Sequence, residues 1–272
     1  MTDKKNLSPE ILLHIAQTLN LPMRGLVAAI ELLDDGGTVP FIARYRKEST
    51  GNLDEVQILA IEEKLAHFHE LADRRETILA SIAEQGKLTE ELKGRIEATL
   101  DRSEVEDLYL PYRPKRRTKA TIAREKGLEP LASYVWAQQR GAEPLGSLAL
   151  AFVNRELGGG TVDEALEGAR HIVAEWISED ADLRKALRQL VFDEGVIVSR
   201  KATDAVDEQE KFKMYYEYKE PVKTIPSHRM LAIRRGEGEN VLYFLIEVEP
   251  ERAIGIMRRH VLRQHGDWTQ QL

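Results

Sequence analysis

Apolar residues recur at three- and four-residue steps along most of this chain, the period of an α-helix with one buried face. Ile11, Leu12, Ile15, Ala16 and Leu19 keep this step after Ser8-Pro9. Serine is a good N-cap, and proline suits the first helical position. Leu26, Val27, Ile30 and Leu33 repeat the pattern as far as Asp34-Asp35-Gly36-Gly37. There glycine takes the left-handed C-terminal geometry at little cost. Pro40 opens a short third helix, predicted over Phe41 to Lys47 and closed by Ser49-Thr50-Gly51. The longest prediction runs from Asn52 to Gln85, on Ile58, Ile61, Leu65, Phe68, Ala72, Leu79 and Ile82. Arg75 fills one apolar slot of that pattern, and Gly86 is the natural stop. Asn52 and Glu55 have the spacing of a capping box. About 32 helical residues at ~1.5 Å each span roughly 48 Å. One packing partner does not cover that length, so the helix is expected to brace two parts of the fold.

Helices are predicted at 88–100, 103–108, 121–126, 128–139 and 143–154, with an extended loop at 111–119. Thr161 and Glu164 cap a further helix to Ile177, and 182–192 is helical again. Val196-Ile197-Val198 reads as extended, and Asp204 to Tyr218 as a helix ending before Pro221. Ser227 to Arg235 is predicted as a short helix capped by Gly236, and Pro250 begins a last helix to Arg263. Val241 to Val248 is the one convincing strand, rich in β-branched and aromatic residues. A lone strand needs a partner. Either it pairs with 196–199 or it completes a sheet elsewhere. The fold class is therefore mainly α. It comprises a helix-turn-helix-like part at 1–51, a long bracing helix at 52–86 and a helical region at 87–199. A segment at 200–272 carries the small β element. No repeat with a period of 20–50 residues is present.

Composition narrows the function classes. The chain has 272 residues and no Cys, which removes disulfides, thiolate metal sites, iron–sulfur clusters and a cysteine nucleophile. No apolar run approaches the length of a membrane span, and no signal-peptide pattern follows Met1. A cytoplasmic, non-membrane protein is expected. The formal charge is −7, so any contact with nucleic acid must come from a local patch. Such a patch exists. Between Tyr109 and Lys126 seven cations face one acid, a net of +6, which leaves −13 over the rest of the chain. Between Glu156 and Asp182 eight acids accompany a single Arg170. This segregation fits a nucleic-acid patch or two surfaces that neutralise each other.

Enzymatic signatures are missing. Gly158-Gly159-Gly160 lacks the Lys-Ser/Thr ending of a phosphate loop and reads as a turn. His67 and His69 sit two apart on a helix and point to different faces, so no metal site is assigned. No catalytic residue, metal or cofactor is expected. Two basic constellations stand out. Arg44, Arg46 and Lys47 follow a helix, a glycine turn and a helix, the order of a helix-turn-helix. Phe41, Ile42 and Tyr45 are expected to pack there, and the cations either meet nucleic acid or pair with local acids. The second is Tyr112, Arg113, Lys115, Arg116, Arg117 and Lys119. Pro111 and Pro114 hold this stretch extended, Tyr112 can stack on a base, and the cations can meet phosphate. Docking on the acidic surface is the alternative.

These stretches carry a family resemblance. TVPFIARYRKESTG (38–51), YLPYRPKRRTKA (109–120) with GLEPL (127–131), and IPSHRMLA (225–232) resemble, in order, the marked motifs of the bacterial Tex family of transcription accessory proteins. The resemblance covers roughly residues 8 to 265. It implies a protein about a third as long as the family's members. In those, an RNase H-like domain, a helix-hairpin-helix region and an OB-fold RNA-binding domain follow a region like this one. The family is also related to a eukaryotic transcription elongation factor that handles histones. The resemblance further implies a cytoplasmic protein that acts near nucleic acid and RNA polymerase or other transcription proteins, with no known catalytic reaction. The loop itself, with Tyr112 as its only adjacent stacking ring, leads to the expectation of weak, sequence-independent contact with RNA or DNA. A protein-interaction scaffold that docks the family's further domains or polymerase, with nucleic acid bound elsewhere, is the rival reading.

Overall fold

The computed structural model describes residues 7–138, 144–153, 160–207 and 209–263. The chain divides into two compact units, Met1–Tyr112 and Arg113–Leu272. The first contains α1 (Pro9–Leu19), α2 (Met23–Asp34), α3 (Val39–Tyr45) and α4 (Lys47–Thr50). These are followed by α5 (Glu55–Glu84), α6 (Glu90–Ala98), α7 (Arg102–Tyr109) and a 3-10 turn at Leu110–Tyr112. Ser8 caps α1 by accepting from the Ile11 amide, as its sequence position predicts.

The long helix α5 is continuous from Glu55 to Glu84. Its cap lies two residues later than the sequence pattern indicated. Gly51 and Asn52 both take left-handed backbone, at φ 70° and 65°, and turn the chain sharply. Asp54 then accepts from the Gln57 amide at 2.8 Å, while the Gln57 side chain accepts from the Asp54 amide at 3.0 Å. The buried seam is Ile58, Ile61, Leu65, Phe68, Leu71, Ile78 and Ile82. It runs through Leu71 and Ile78 rather than Ala72 and Leu79, keeping steps of three and four through Arg75. The helix packs against α1, α2 and α3 and also against α6 and α7, so it braces two groups of helices within this unit. The third helix is shorter than its pattern: it breaks at Arg46, where φ is −127°, and α4 follows. Gly25 lets α2 approach α4, since a Cβ there would lie 2.5 Å from the Thr50 carbonyl oxygen.

The second unit contains α8 (Lys119–Glu125), α9 (Glu129–Ala137), α10 (Leu145–Leu150), α11 (Val162–Glu179) and α12 (Ala181–Glu194). The predicted helices at 128–139 and 143–154 extend into residues outside those described, as do Glu156, Gly158 and Gly159. Ala123, Leu128, Leu131, Ala165, Ala169 and Ile172 join α8, α9 and α11 in one core. Thr161 caps α11, accepting from the Glu164 amide at 3.2 Å. The Glu164 carboxylate reaches back to the Gly160 amide at 2.7 Å, so the predicted box closes one residue further out.

Three strands form one antiparallel sheet in the order β2-β1-β3: β1 (Val196–Lys201), β2 (Glu217–Pro221) and β3 (Leu242–Glu247). Ser199 of β1 pairs with Tyr218 on one side and Phe244 on the other. The lone strand therefore finds its partner in 196–201, and a third strand joins them. The predicted helix over Asp204 to Tyr218 does not form. Asp207 accepts from the Lys211 and Phe212 amides and from the Tyr216 hydroxyl, folding this stretch into compact turns. Only a 3-10 turn at Lys213–Tyr215 remains before β2. Strand pairing overrides the helical preference of Glu and Lys. The helix α13 (Ser227–Gly238) also runs past Gly236. That glycine is a close-approach site, where a Cβ would lie 2.6 Å from Leu242 Cδ1. The last helix, α14 (Pro250–Val261), packs on α12.

Candidate nucleic-acid interface

The basic loop opens the second unit. Its anchor is Glu175 on α11, whose side chain is only 10% exposed. Lys115 Nζ lies 3.1 Å from Glu175 and 2.5 Å from Glu179. Arg124 of α8 donates to Glu175 at 2.7 Å, and the Thr118 hydroxyl donates to its other oxygen at 3.2 Å. Burial by itself pushes the Glu175 carboxyl up, but hydrogen bonds from Arg124 and Lys115 outweigh it and hold it below the usual carboxylate range. Thr118 also caps α8 by accepting from the Thr121 amide at 3.0 Å. One largely buried carboxylate thus holds both the loop and the start of the next helix.

The loop cations fall into two groups. Lys115 is neutralised by α11, and Arg117 pairs at 2.6 Å with Glu125. Arg113, Arg116 and Lys119 are exposed and form no ion pair with any described residue. Beside α8, a groove of about 220 Å³ brings Lys119 and Lys126 near Glu164, Glu167 and His171. Tyr112 belongs to the first unit; it is half-buried and its carbonyl accepts from Gln85 at 2.9 Å.

The other constellation, in the first unit, lies on and just beyond α3. Arg44, Arg46 and Lys47 are exposed and make no ion pair with a described residue. Local pairing with Asp34, Asp35, Glu48 or Glu55 does not occur. Ile42 is fully buried, as expected. Phe41 and Tyr45 are not packed in the core as the sequence suggested: they are 44% and 68% exposed. The reason is the helix period. Val39, Ile42 and Ala43 already complete the buried side of α3 and leave Phe41 and Tyr45 on the other.

Sequence reasoning missed a groove in the second unit. It encloses about 790 Å³ against the sheet, lined among others by Arg200, Lys201, Lys219, Tyr216 and Tyr243. Two of its cations are engaged. Lys201 lies 4.9 Å over the Tyr216 ring, and Lys219 pairs with Glu247 at 3.5 Å. β2 supplies Lys219, so this groove was invisible while 204–218 read as helix. Among the described residues no cluster of three or more His, Asp or Glu could hold a metal. No helix among them is long and apolar enough to cross a membrane.

Residues 9–83 match the Tex-like protein N-terminal domain, and 142–271 match the Tex central region-like model. The chain belongs to the Tex family. The transcriptional accessory protein Tex of Neisseria gonorrhoeae is 44% identical over 237 residues, covering 87% of this chain and 31% of that protein. Protein YhgF of Escherichia coli is 46% identical over 224 residues, 82% of this chain and 29% of its own length. Human S1 RNA-binding domain-containing protein 1 is 29% identical over 228 residues, 80% of this chain and 22% of that protein. The chain spans about a third of the length of the bacterial Tex relatives it matches. Of the motif residues, 38–51 lie within the matched N-terminal domain, whereas the loop 113–119 falls between the two matched regions.

Proposed function

We propose that this chain is the helical N-terminal portion of a cytoplasmic, non-catalytic Tex-family accessory protein that contacts nucleic acid weakly and without sequence preference. The observation carrying this reading is the basic loop. Glu175 fastens it through Lys115 and Thr118, and Arg113, Arg116 and Lys119 stay exposed and form no ion pair with a described residue. A fixed, extended row of cations suits the phosphate backbone, which carries no sequence information. The helix-turn-helix order of α2 and α3 adds Arg44, Arg46 and Lys47 as a second basic surface. The names of the relatives, a transcriptional accessory protein and an S1 RNA-binding protein, agree with this reading. No cofactor or metal enters it.

Binding to single- and double-stranded oligonucleotides, measured by fluorescence anisotropy across a salt series, tests the proposal. Three phosphate contacts from the loop give a slope of log K against log salt of about −2 to −3. Changing Arg113, Arg116 and Lys119 together to Ala is expected to weaken binding to all sequences equally and to flatten that slope. Unchanged binding and slope would overturn the assignment. The second reading would then apply, in which the loop docks a protein such as RNA polymerase. The pairing of Lys115, Arg117 and Arg124 with acids favours that reading, because this surface already associates with carboxylates.

A further inference from the structure

The two aromatic rings on α3 lie outside its buried side. Phe41 and Tyr45 stand one helical turn apart, with centroids 5.4 Å from each other at an interplanar angle of 44°. The Arg46 guanidinium lies 5.5 Å over the Phe41 ring. Arg44 and Lys47 flank them, exposed, and Glu48 is the one acid among residues 41–48. The buried side of α3 is already complete in Val39, Ile42 and Ala43, so the outward rings add nothing to the core. Adjacent exposed aromatic rings set among cations mark an interaction surface.

The chemistry of this surface identifies its occupant. A helix that reads base-pair edges in the major groove places hydrogen-bonding side chains at its contact face. Here Phe41 and Tyr45 occupy that face, and α3 ends after seven residues. Aromatic rings offer faces rather than a pattern of donors and acceptors. Faces stack on unpaired bases, while neighbouring cations take the phosphates. Phe41 already carries the Arg46 guanidinium, whereas Tyr45 is the more open ring. We infer that Phe41 and Tyr45 form a stacking platform for unpaired bases of a single-stranded nucleic acid, with Tyr45 as the ring that meets the base. Arg46 holds Phe41 as the support, and Arg44 and Lys47 contact the backbone. This inference rests on the nucleic-acid reading above and converts the second basic surface from a duplex reader into a single-strand binder.

The test compares the full chain on three probes of equal length: oligothymidine, the same backbone with abasic sites, and a duplex. Stacking is expected to make oligothymidine bind more tightly than the abasic strand by roughly 5- to 150-fold, the range for one stacked base. Tyr45→Ala should abolish that difference and leave binding to the abasic strand unchanged. Tyr45→Phe should retain it, since the ring face remains. Arg44→Ala should weaken both strands alike. Equal binding of the wild-type chain to oligothymidine and abasic strand would overturn the inference. So would a Tyr45→Ala variant that keeps the wild-type preference, leaving this face as a protein contact. If that occurs while the Arg113, Arg116 and Lys119 variant still loses affinity, only the stacking inference falls. If the wild-type chain binds none of the three probes, the nucleic-acid reading falls with it.

Discussion

Arg75 sits in the apolar seam of α5, between the buried residues Leu71 and Ile78. Its guanidinium donates to the Thr99 carbonyl, and its Nε is buried with no hydrogen-bond partner among described residues. Burial pushes its pKa below the ordinary arginine value, with Glu97 opposing that shift. A charge in such a slot is kept at a cost, because desolvation is only partly repaid. Replacing Arg75 with Met keeps much of the volume and removes the unsatisfied polar atom. Its expected effect on urea unfolding is neutral or stabilising, within about 1 kcal/mol. Arg75→Ala also loses the packed methylenes and should destabilise by about 1–3 kcal/mol. If Met costs as much as Ala, the bond to Thr99 matters more than burial does.

At the scale of elements, α11 governs the geometry of the basic loop. Glu175 sits on it four residues before Glu179, on the same face, and together they receive Lys115. The same face is held tightly to α8 and α9, since a Cβ on Gly168 would collide with Leu128. The Glu175 carboxyl titrates below its ordinary value in the folded state, so its contribution to stability is present at neutral pH. That contribution is lost as pH falls through the folded pKa, in the window below about 4.3. Glu175→Gln is expected to destabilise the chain by about 1–3 kcal/mol at pH 7, since it removes the carboxylate that two partly buried cations share and leaves each with one remaining carboxylate partner. The gap to wild type should close in acid. Thermal melts at pH 7 and through a descending acid series below about pH 4.3 check both parts, and a gap that does not narrow along that series would count against the ionic account.

The whole molecule consists of two units that each contain their own buried residues. In the first, Ile15, Leu26, Ile58, Ile61, Ile82 and Ile96 are completely buried. A fragment of residues 1–112 should therefore fold by itself, giving a helical circular dichroism spectrum and one cooperative thermal transition. A broad, non-cooperative melt would mean that the core needs residues of the second unit. The same fragment carries Tyr45 without the basic loop, so it should keep the oligothymidine preference while losing the part of the salt dependence that Arg113, Arg116 and Lys119 supply.

The apolar period determined most of the helices, the continuity of α5 and the burial of Ile42, because a 3.6-residue repeat states which face leaves water. The capping serine at position 8 and threonine at position 161 were legible for a related reason: their partners lie three residues away. The motifs of residues 38–51 and 109–120 likewise carry the family resemblance in the sequence alone. Tertiary structure decided the rest. β2 exists because β1 offers an open edge, and no local signal in Glu217 to Pro221 announces that pairing. Which loop cations remain available depended on Glu175, which lies 60 positions from Lys115 in sequence. The exposure of Phe41 and Tyr45 was set by how much apolar surface α3 had already buried on its other side. Local spacing reports a residue's own element, whereas strand pairing, charge neutralisation and exposure are settled by groups far along the chain.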